Sequence, residues 1–591
     1  MFYLFHVFRS FIPLSNPIGF GASDFVEFFV AAVLVLLALA RNHVVRFARG
    51  FADRTAWCML ALGALTVALR LALLPQAGPP ISSSADDASY LLLADTLSHF
   101  RLANLTHPFH RFLEANFVLQ EPSYSSIFPM GQGIALELGR MIFGHPWAGV
   151  LLSEAALCAL CYWMLRGWVS AGWALVGGVL AVFQLGPLTY WMNSYWGGAV
   201  SGIAGCLVFG AMGRLMPLPH GRGSAGPPVG RIERKGTTLL NPERQREASN
   251  GLGVETQNPT RNAILLGVGL GLELLTRPYE CVFLVAIVAL FLLLNWKRLA
   301  LAVPLALAAT LPFVSLTLAQ NRAVTGSWTT LPYMTSRFEY GVPTTFTFQP
   351  APEPHRELTP EQQRGYDVQS EVHDRENARS LWERLLDRAE NIRFFLSPAL
   401  FVALPIFLVA LRDRRLWWPA ASILILLTAS AFYPYFYPHY LAAVACAFLL
   451  VALVALQRMP RLAASAILFL AVAHFAFWYG VHAYGNQDFL DAFGPFELFD
   501  FVNHGDPEGR RPILKQLEQA QGGQLVFVRY SPFHPLREWI TNAADIDRSK
   551  IVWALDLGPE EDSQLLDYYP DRTVWVAEPD ARPPRLLPYP R

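Results

Sequence analysis

The chain has 591 residues, 53% of them hydrophobic and 16% charged, with Lys+Arg and Asp+Glu equal at 46 each. Soluble proteins carry about 25% charged residues, so the composition excludes an ordinary soluble domain. A chain without net charge also lacks the basic footprint of a nucleic-acid binder. What remains is a polytopic α-helical membrane protein, a setting that tolerates the 42 Gly and 43 Pro.

Taken in chain order, the first 24 residues are aromatic, broken by Pro and carry one basic residue, Arg9. They read as an interfacial segment and not as a cleaved signal peptide. A membrane span needs about 20 mostly apolar residues. Twelve runs qualify or nearly qualify: 24–40, 56–74, 147–165, 168–185, 197–215, 263–276, 279–296, 299–319, 396–411, 416–432, 438–456 and 461–480. The sixth and ninth are short. Arg and Lys collect at 41–54, after 215, at 297–298, at 412–415 and at 457–461. All five places fall on one side when the spans are counted, which the positive-inside rule makes the cytoplasm. Both termini are then exterior, and the expected location is the inner (plasma) membrane.

Five regions follow. Residues 1–55 hold an extra first span and a basic loop. Residues 56–215 form a transmembrane core with a large exterior loop at 75–146. Residues 216–261, rich in Gly, Pro and charge, lack the apolar residues to bury a core and read as disordered. Residues 262–484 carry the remaining spans and a second exterior loop at 320–395. Residues 485–591 form an exterior tail. In the second loop, "TPEQ" at 359–362 is a capping box with Pro at the first helical position, predicting a charged helix over about 360–393. In the tail, "QLVFVRY" (524–530), "KIVWALDL" (550–557) and "TVWVAEPD" (573–580) read as strands interleaved with helices. That pattern predicts a small α/β domain with a parallel sheet. The six cysteines, Cys58, Cys158, Cys161, Cys206, Cys281 and Cys446, all lie in apolar runs, so neither a disulfide framework nor a thiolate metal site is expected.

Two adjacent acids, Asp86 and Asp87, stand just beyond the span 56–74 in "SSSADDASYLLLADTL". Ser84 to Asp87 has the S-x-x-D form of a capping box, and either acid suits a helix N-terminus. Capping accounts for one acid without requiring two. At the water–lipid boundary a carboxylate also reaches both a lipid head group and a soluble acceptor, as a general base needs to. A neighbouring acid would raise its pKa or help hold a divalent cation. Both readings stand on spacing alone.

An apolar span, then "DDASYLLLADTL", a folded loop, and "YSSIFPMGQGIALELGRMIFGHPWAGVLLSEAALCALCYWML" together resemble the start of the C-type (GT-C fold) membrane glycosyltransferases. Protein O-mannosyltransferases and aminoarabinose transferases belong to that group. The resemblance implies Asp86 as catalytic base, Asp87 as supporting acid, and Tyr124 to Pro129 as the lead-in to an in-plane helix. Ser125 and Ser126 replace frequent prolines there, and no Lys is present. "TRPYE" at 276–280 is similar to an Arg-Pro turn of the group, and "FYPHYLAAVACAFLLVA" at 436–452 to a late segment, with His439 in place of an Arg. The tail resembles uncharacterised bacterial membrane proteins of this layout. The implied partner is a polyprenyl-phosphate sugar lipid, within surrounding membrane lipids and with no nucleic acid. The implied activity is sugar transfer to an exterior acceptor with inversion. Arg277, His439, Tyr440 and Tyr124 are the substrate-binding candidates, and a divalent cation at Asp86 and Asp87 is the one implied cofactor.

Other polar groups are less specific. Arg277 suits a phosphate or anchors the interface beside Glu273 or Glu280. "YPYFYPHY" around His439 and Tyr440, and "YWMNSYWGG" at 190–198, have the composition of aromatic belts. His99, His107 and His110 lack a zinc spacing, and Glu339 is a second-loop acid with no spacing to support a role. Two other classes compete. A twelve-span transporter would use intramembrane Arg70, Glu154, Gln184 or Glu273. A non-catalytic envelope-assembly subunit would use the tail to bind a partner.

Overall fold

The computed structural model describes residues 50–82, 84–216, 258–484, 506, 508–535 and 537–590. The expected first span at 24–40, most of the loop 216–261 and the start of the tail lie outside the described residues.

The first span is α1 (Thr55–Ala72), followed by α2 (Ala85–Ser98) and α3 (Met130–Phe143) in the first loop. The core continues with α4 (Pro146–Leu165), α5 (Ala171–Leu185), the one-turn α6 (Tyr190–Asn193) and α7 (Ala199–Leu215). Then come α8 (Pro259–Leu274), α9 (Pro278–Leu294) and α10 (Ala302–Thr325). The second loop holds α11 (Pro332–Tyr340), α12 (Pro360–Ala378) and α13 (Leu381–Glu390). The bundle closes with α14 (Pro398–Phe401), α15 (Leu404–Ala410), α16 (Trp417–Ser430), a 3-10 turn at Pro438–Val444 running into α17 (Ala445–Arg458), and α18 (Arg461–Tyr484).

Among the described residues five helices are long and apolar enough to cross a membrane: Thr55–Ala72, Pro146–Leu165, Ala302–Thr325, Pro438–Arg458 and Arg461–Ala483. Ala171–Leu185, Ala199–Leu215 and Pro278–Leu294 are apolar but shorter. The expected ninth span, 396–411, is two short helices, α14 and α15.

Small residues let the helices approach closely, as is usual where dispersion rather than hydrophobic transfer holds helices together. A Cβ on Gly139 of α3 would fall 1.8 Å from the Gly149 nitrogen of α4, and one on Gly205 of α7 would fall 1.8 Å from the Ala443 carbonyl oxygen.

Arginines near the ends of the bundle helices bond backbone carbonyls. Arg166 donates to the Ala52 carbonyl (3.0 Å), Arg214 to Trp163 (2.7 Å) and Arg415 to Gly213 (3.0 Å). The two large loops and the tail gather at one end of the bundle, and they fold together. Glu114 of the first loop, buried, accepts from Tyr340 Oη (3.0 Å), Arg356 Nη2 (2.7 Å) and Gln362 Nε2 (2.8 Å) of the second.

In the tail, β3 (Gln524–Val528) pairs in parallel with β4 (Ile551–Leu555) and β5 (Thr573–Glu578), and β6 (Arg585–Pro588) adds an antiparallel edge to β5. The first loop has only the two-residue pair β1 (Val118–Leu119) and β2 (Ser125–Ser126). In sequence, α19 (Arg510–Gln519) precedes β3 and α20 (Pro559–Tyr568) lies between β4 and β5. The expected tail strands are thus β3, β4 and β5. The tail core extends into the first loop. Its buried residues, among them Leu525, Phe527 and Trp553, form one cluster with Leu92, Phe112, Leu113, Val118 and Tyr124 of the first loop. Asp95 of α2 accepts from the Ala544 amide (2.7 Å), and Glu538 from the Asn116 amide (3.0 Å).

The single helix expected over 360–393 is two. Thr359 and Gln362 form the capping box read from the sequence, but Ser380 and Glu383 form a second one, and α12 ends at Ala378. A cap that satisfies the first amides of a new helix competes with continuation of the old one.

Replacing Glu114 with Ala leaves a half-buried guanidinium and a buried hydroxyl short of their acceptor. The expected cost is about 3 kcal/mol, read as a lower Tm together with faster protease cleavage between 344 and 360.

Candidate active site

Four chain segments meet at the loop end of the bundle: the start of α2, the link 186–198, the turn between α8 and α9, and the stretch 431–440. Each is held by bonds to another. Ser84 caps α2, its Oγ accepting from the Asp87 amide (3.1 Å). The reciprocal half of a capping box is absent. The Asp87 carboxylate is buried and turned outward from its own helix, accepting from the Tyr195 amide (2.8 Å). Gln132 of α3 donates to the Tyr195 carbonyl (2.9 Å), and the Gly131 amide donates to the Leu275 carbonyl (2.7 Å). The turn carrying Arg277 is thereby fixed to the start of α3.

Asp86 sits one residue earlier, half-buried, and its carboxylate meets its own backbone N–H but no other hydrogen-bond donor among the described residues. Burial pushes its pKa up to about 7, the Asp87 charge adds to the rise, and Arg277 opposes it. Arg277 is half-buried, with its guanidinium 5.1 Å above the Tyr440 ring and no hydrogen bond or ion pair among the described residues. Asp86, Tyr90, Glu280, Tyr190 and Tyr440 all lie within its electrostatic reach. Tyr90 in turn stacks on Phe128 with centroids 4.4 Å apart. His439 is buried; its Nδ1 pairs with Tyr190 Oη (2.7 Å), and its backbone N–H donates to the same oxygen (3.1 Å). Tyr437 stacks on the His439 ring, and Trp196 stands edge-on to it.

The structure therefore gathers Asp86, Arg277, His439 and Tyr440, with Asp87 behind them as a support. It does not gather Tyr124, which is buried in the core shared with the tail and donates to the Asn542 carbonyl (3.2 Å). Its side chain follows the alternation of a short extended segment and points away from the bundle. Glu280, passed over in the sequence except as a partner for Arg277, faces the same tyrosines as Asp86. Its signal was present: three residues after Arg277, it lies on the first turn of α9. Glu273 instead takes a hydrogen bond from Ser201 (3.0 Å).

The aromatic run at 190–198 is not a surface anchor, because Tyr190, Trp191, Met192 and Asn193 are all buried. Asn193 accepts from Arg70 Nε (2.6 Å), whose remaining bonds go to the Ala77 and Gly78 carbonyls. The polar residues of a transport path are likewise spread over separate tasks, Gln184 donating to the Phe394 carbonyl (2.8 Å).

The three loop histidines also do separate work. His107 pairs with Asp547 (3.1 Å), His99 bonds the Asp95 carbonyl (2.8 Å), and His110 lies 4.0 Å from Glu121. Among the described residues no group of three His, Cys, Asp or Glu is placed to hold a metal ion. The donor set at Asp86 and Asp87 does not fit a cation either. One Asp87 oxygen is committed to a backbone amide, and the positive charge of Arg277 acts on Asp86.

The chain is similar to solved structures of two proteins. ArnT from Cupriavidus metallidurans in the apo state matches at 13% identity and a TM-score of 0.45, over 89% of this chain and 93% of that one. The same protein bound to undecaprenyl phosphate matches at 13% identity and a TM-score of 0.44, with the same coverage. The Archaeoglobus fulgidus oligosaccharyltransferase in the apo form matches at 11% identity and a TM-score of 0.39, over 80% of this chain and 62% of that one. No family model and no curated protein matches the chain.

A carboxyl whose folded pKa lies near 7, above the ordinary value near 3.9, stabilises the fold fully only below the lower value. That stability is lost as the pH rises through the higher one. Asp86→Asn removes the loss. Its Tm is expected to exceed that of the parent at about pH 8.5 and to match it at about pH 4. Equal Tm differences at both values would mean that the carboxyl titrates normally.

Proposed function

We propose that the protein is a membrane glycosyltransferase that moves a sugar from a polyprenyl-phosphate donor to an acceptor hydroxyl at the loop end of the bundle, on the exterior face of the inner membrane. One observation carries this reading. A half-buried carboxylate, raised to a pKa of about 7, lies within electrostatic reach of a half-buried guanidinium, and neither has a hydrogen-bond partner on another residue. Neither group is spent on a contact that holds the fold, so both are open to a ligand. A phosphate for Arg277 and a hydroxyl for Asp86 would satisfy both.

The chemistry follows from these positions. Asp86, with a pKa near the operating pH, takes the proton of the acceptor hydroxyl as its oxygen bonds the anomeric carbon. The bond from that carbon to the phosphate oxygen breaks, and the phosphate departs with the electron pair. Arg277 holds the departing charge through two parallel N–H bonds, with Tyr440 beneath it and the His439 ring alongside. One displacement inverts the anomeric centre. Asp87 acts by anchoring the helix start, through Tyr195, and by its charge on Asp86. No step runs through a metal ion.

Asp86→Asn is expected to lower transfer of radiolabelled sugar from a polyprenyl-phosphate donor by about 10²–10⁴-fold, with binding of the lipid phosphate retained. Full activity of the folded variant would remove the assignment. The parent's kcat/KM should rise with pH through about 7, because the base must be ionised. Arg277→Ala should weaken binding of polyprenyl phosphate by about tenfold or more, the equivalent of one charged hydrogen bond. Arg277→Lys should recover only part, since an ammonium cannot bind bidentately.

A further inference from the structure

The second loop carries a helix turned inside out. In α13 the buried side chains are Arg384 and Arg388, while Leu381, Trp382 and Leu386 are 39%, 68% and 51% exposed. A helix on a water-facing surface turns its apolar stripe inward. Here the arginines turn inward for a specific reason. Arg384 donates to the Ala431 carbonyl (3.1 Å) and Arg388 to the Tyr433 carbonyl (3.0 Å). Ala431 and Tyr433 directly follow α16, so the two guanidinium groups fill carbonyls left open at a helix C-terminus, where positive charge is favoured. This fixes α13 across the end of a bundle helix whose own outward residue Leu424 is 63% exposed. Arg384 also bonds Thr347, the neighbour of Phe348, whose ring is 68% exposed.

We propose that α13 and Phe348 lie in the membrane interface at the loop end of the bundle, with Leu381, Trp382, Leu386 and Phe348 inserted in lipid. The occupant is the bilayer itself. The patch continues the lipid-facing surface of α16, and only an apolar surrounding favours this polarity. Insertion of about 5–10 Å covers such a face, and Trp382 is a residue enriched at that depth. The exposed Glu383 and Glu390 follow round one flank of the helix, at the level of the head groups. The second loop is then not a wholly aqueous loop. From Phe348 a run of rings leads inward: Phe346 at 5.3 Å, Tyr433 a further 6.4 Å on, and Tyr440 at 6.0 Å from that, next to Arg277. The inference rests on the bundle spanning a membrane and is independent of the chemistry at Asp86.

The test uses the full chain in nanodiscs, labelled with a small fluorophore at Leu386→Cys or Trp382→Cys, with Asp374→Cys on α12 as the aqueous control. The six native cysteines are buried, and the parent protein carried through labelling supplies the blank. Gel filtration checks that each variant is folded. The Leu386 and Trp382 labels are expected to lose most of their fluorescence to lipids carrying a shallow doxyl group and little to iodide, with the reverse for Asp374. Iodide quenching at Leu386 equal to that at Asp374 would place α13 in water and overturn the proposal. Protection from both quenchers would show the face covered by protein, and overturn it equally.

Discussion

A buried carboxylate bonded to a backbone amide on a distant segment holds the site together. Asp87 accepts from the Tyr195 amide, and that bond ties the start of α2 to the link between α5 and α7. An ionised group buried in a protein needs such partners. Once Asp87 is held, the helix geometry leaves Asp86, one residue earlier, turned by about 100° from it and facing the tyrosines around Arg277. The two acids have one sequence context and two different tasks. The Gly131 amide, bonded to the Leu275 carbonyl, does the same for the turn that presents Arg277. A site made from four segments is rigid only because each segment is bonded to another.

The loops owe their order to shared cores more than to their own. The tail sheet is buried against the first loop, and the first loop holds the second through Glu114. The core beneath the tail sheet is completed by Leu92, Phe112, Leu113, Ala115, Val118 and Tyr124 of the first loop. Together the tail and the two loops cover the end of the bundle where Asp86 and Arg277 stand. This arrangement explains why a chain mostly given to membrane helices carries long polar segments on one side.

Much of this was legible in order along the chain. The capping box at Thr359 and Gln362 and the strands at 524–530 and 573–580 rest on local patterns. The errors share a cause. The helix expected to run to 393 stops because Ser380 starts another, a local signal that the longer charged pattern obscured. Tyr124 fits the lead-in by position, but its ring belongs to the core beneath the tail, a contact more than four hundred residues away in sequence. The aromatic run at 190–198 has the composition of an interface belt, whereas burial makes Tyr190 the partner of His439.

Composition and the periodicity of apolar runs determined by themselves that this chain forms a helical bundle, and local patterns marked several of its helix starts. Those properties depend on neighbours within a few turns and on the hydrophobic thickness of a bilayer. Only the tertiary structure decided which side chains surround Arg277, because their directions depend on contacts between segments hundreds of residues apart. It brought Asp86 and the Tyr440 ring to Arg277 and removed Tyr124 from the set. It turned α13 with its arginines inward, since open carbonyls at the end of α16 attract charge more strongly than the apolar stripe of α13 gains from the protein surface.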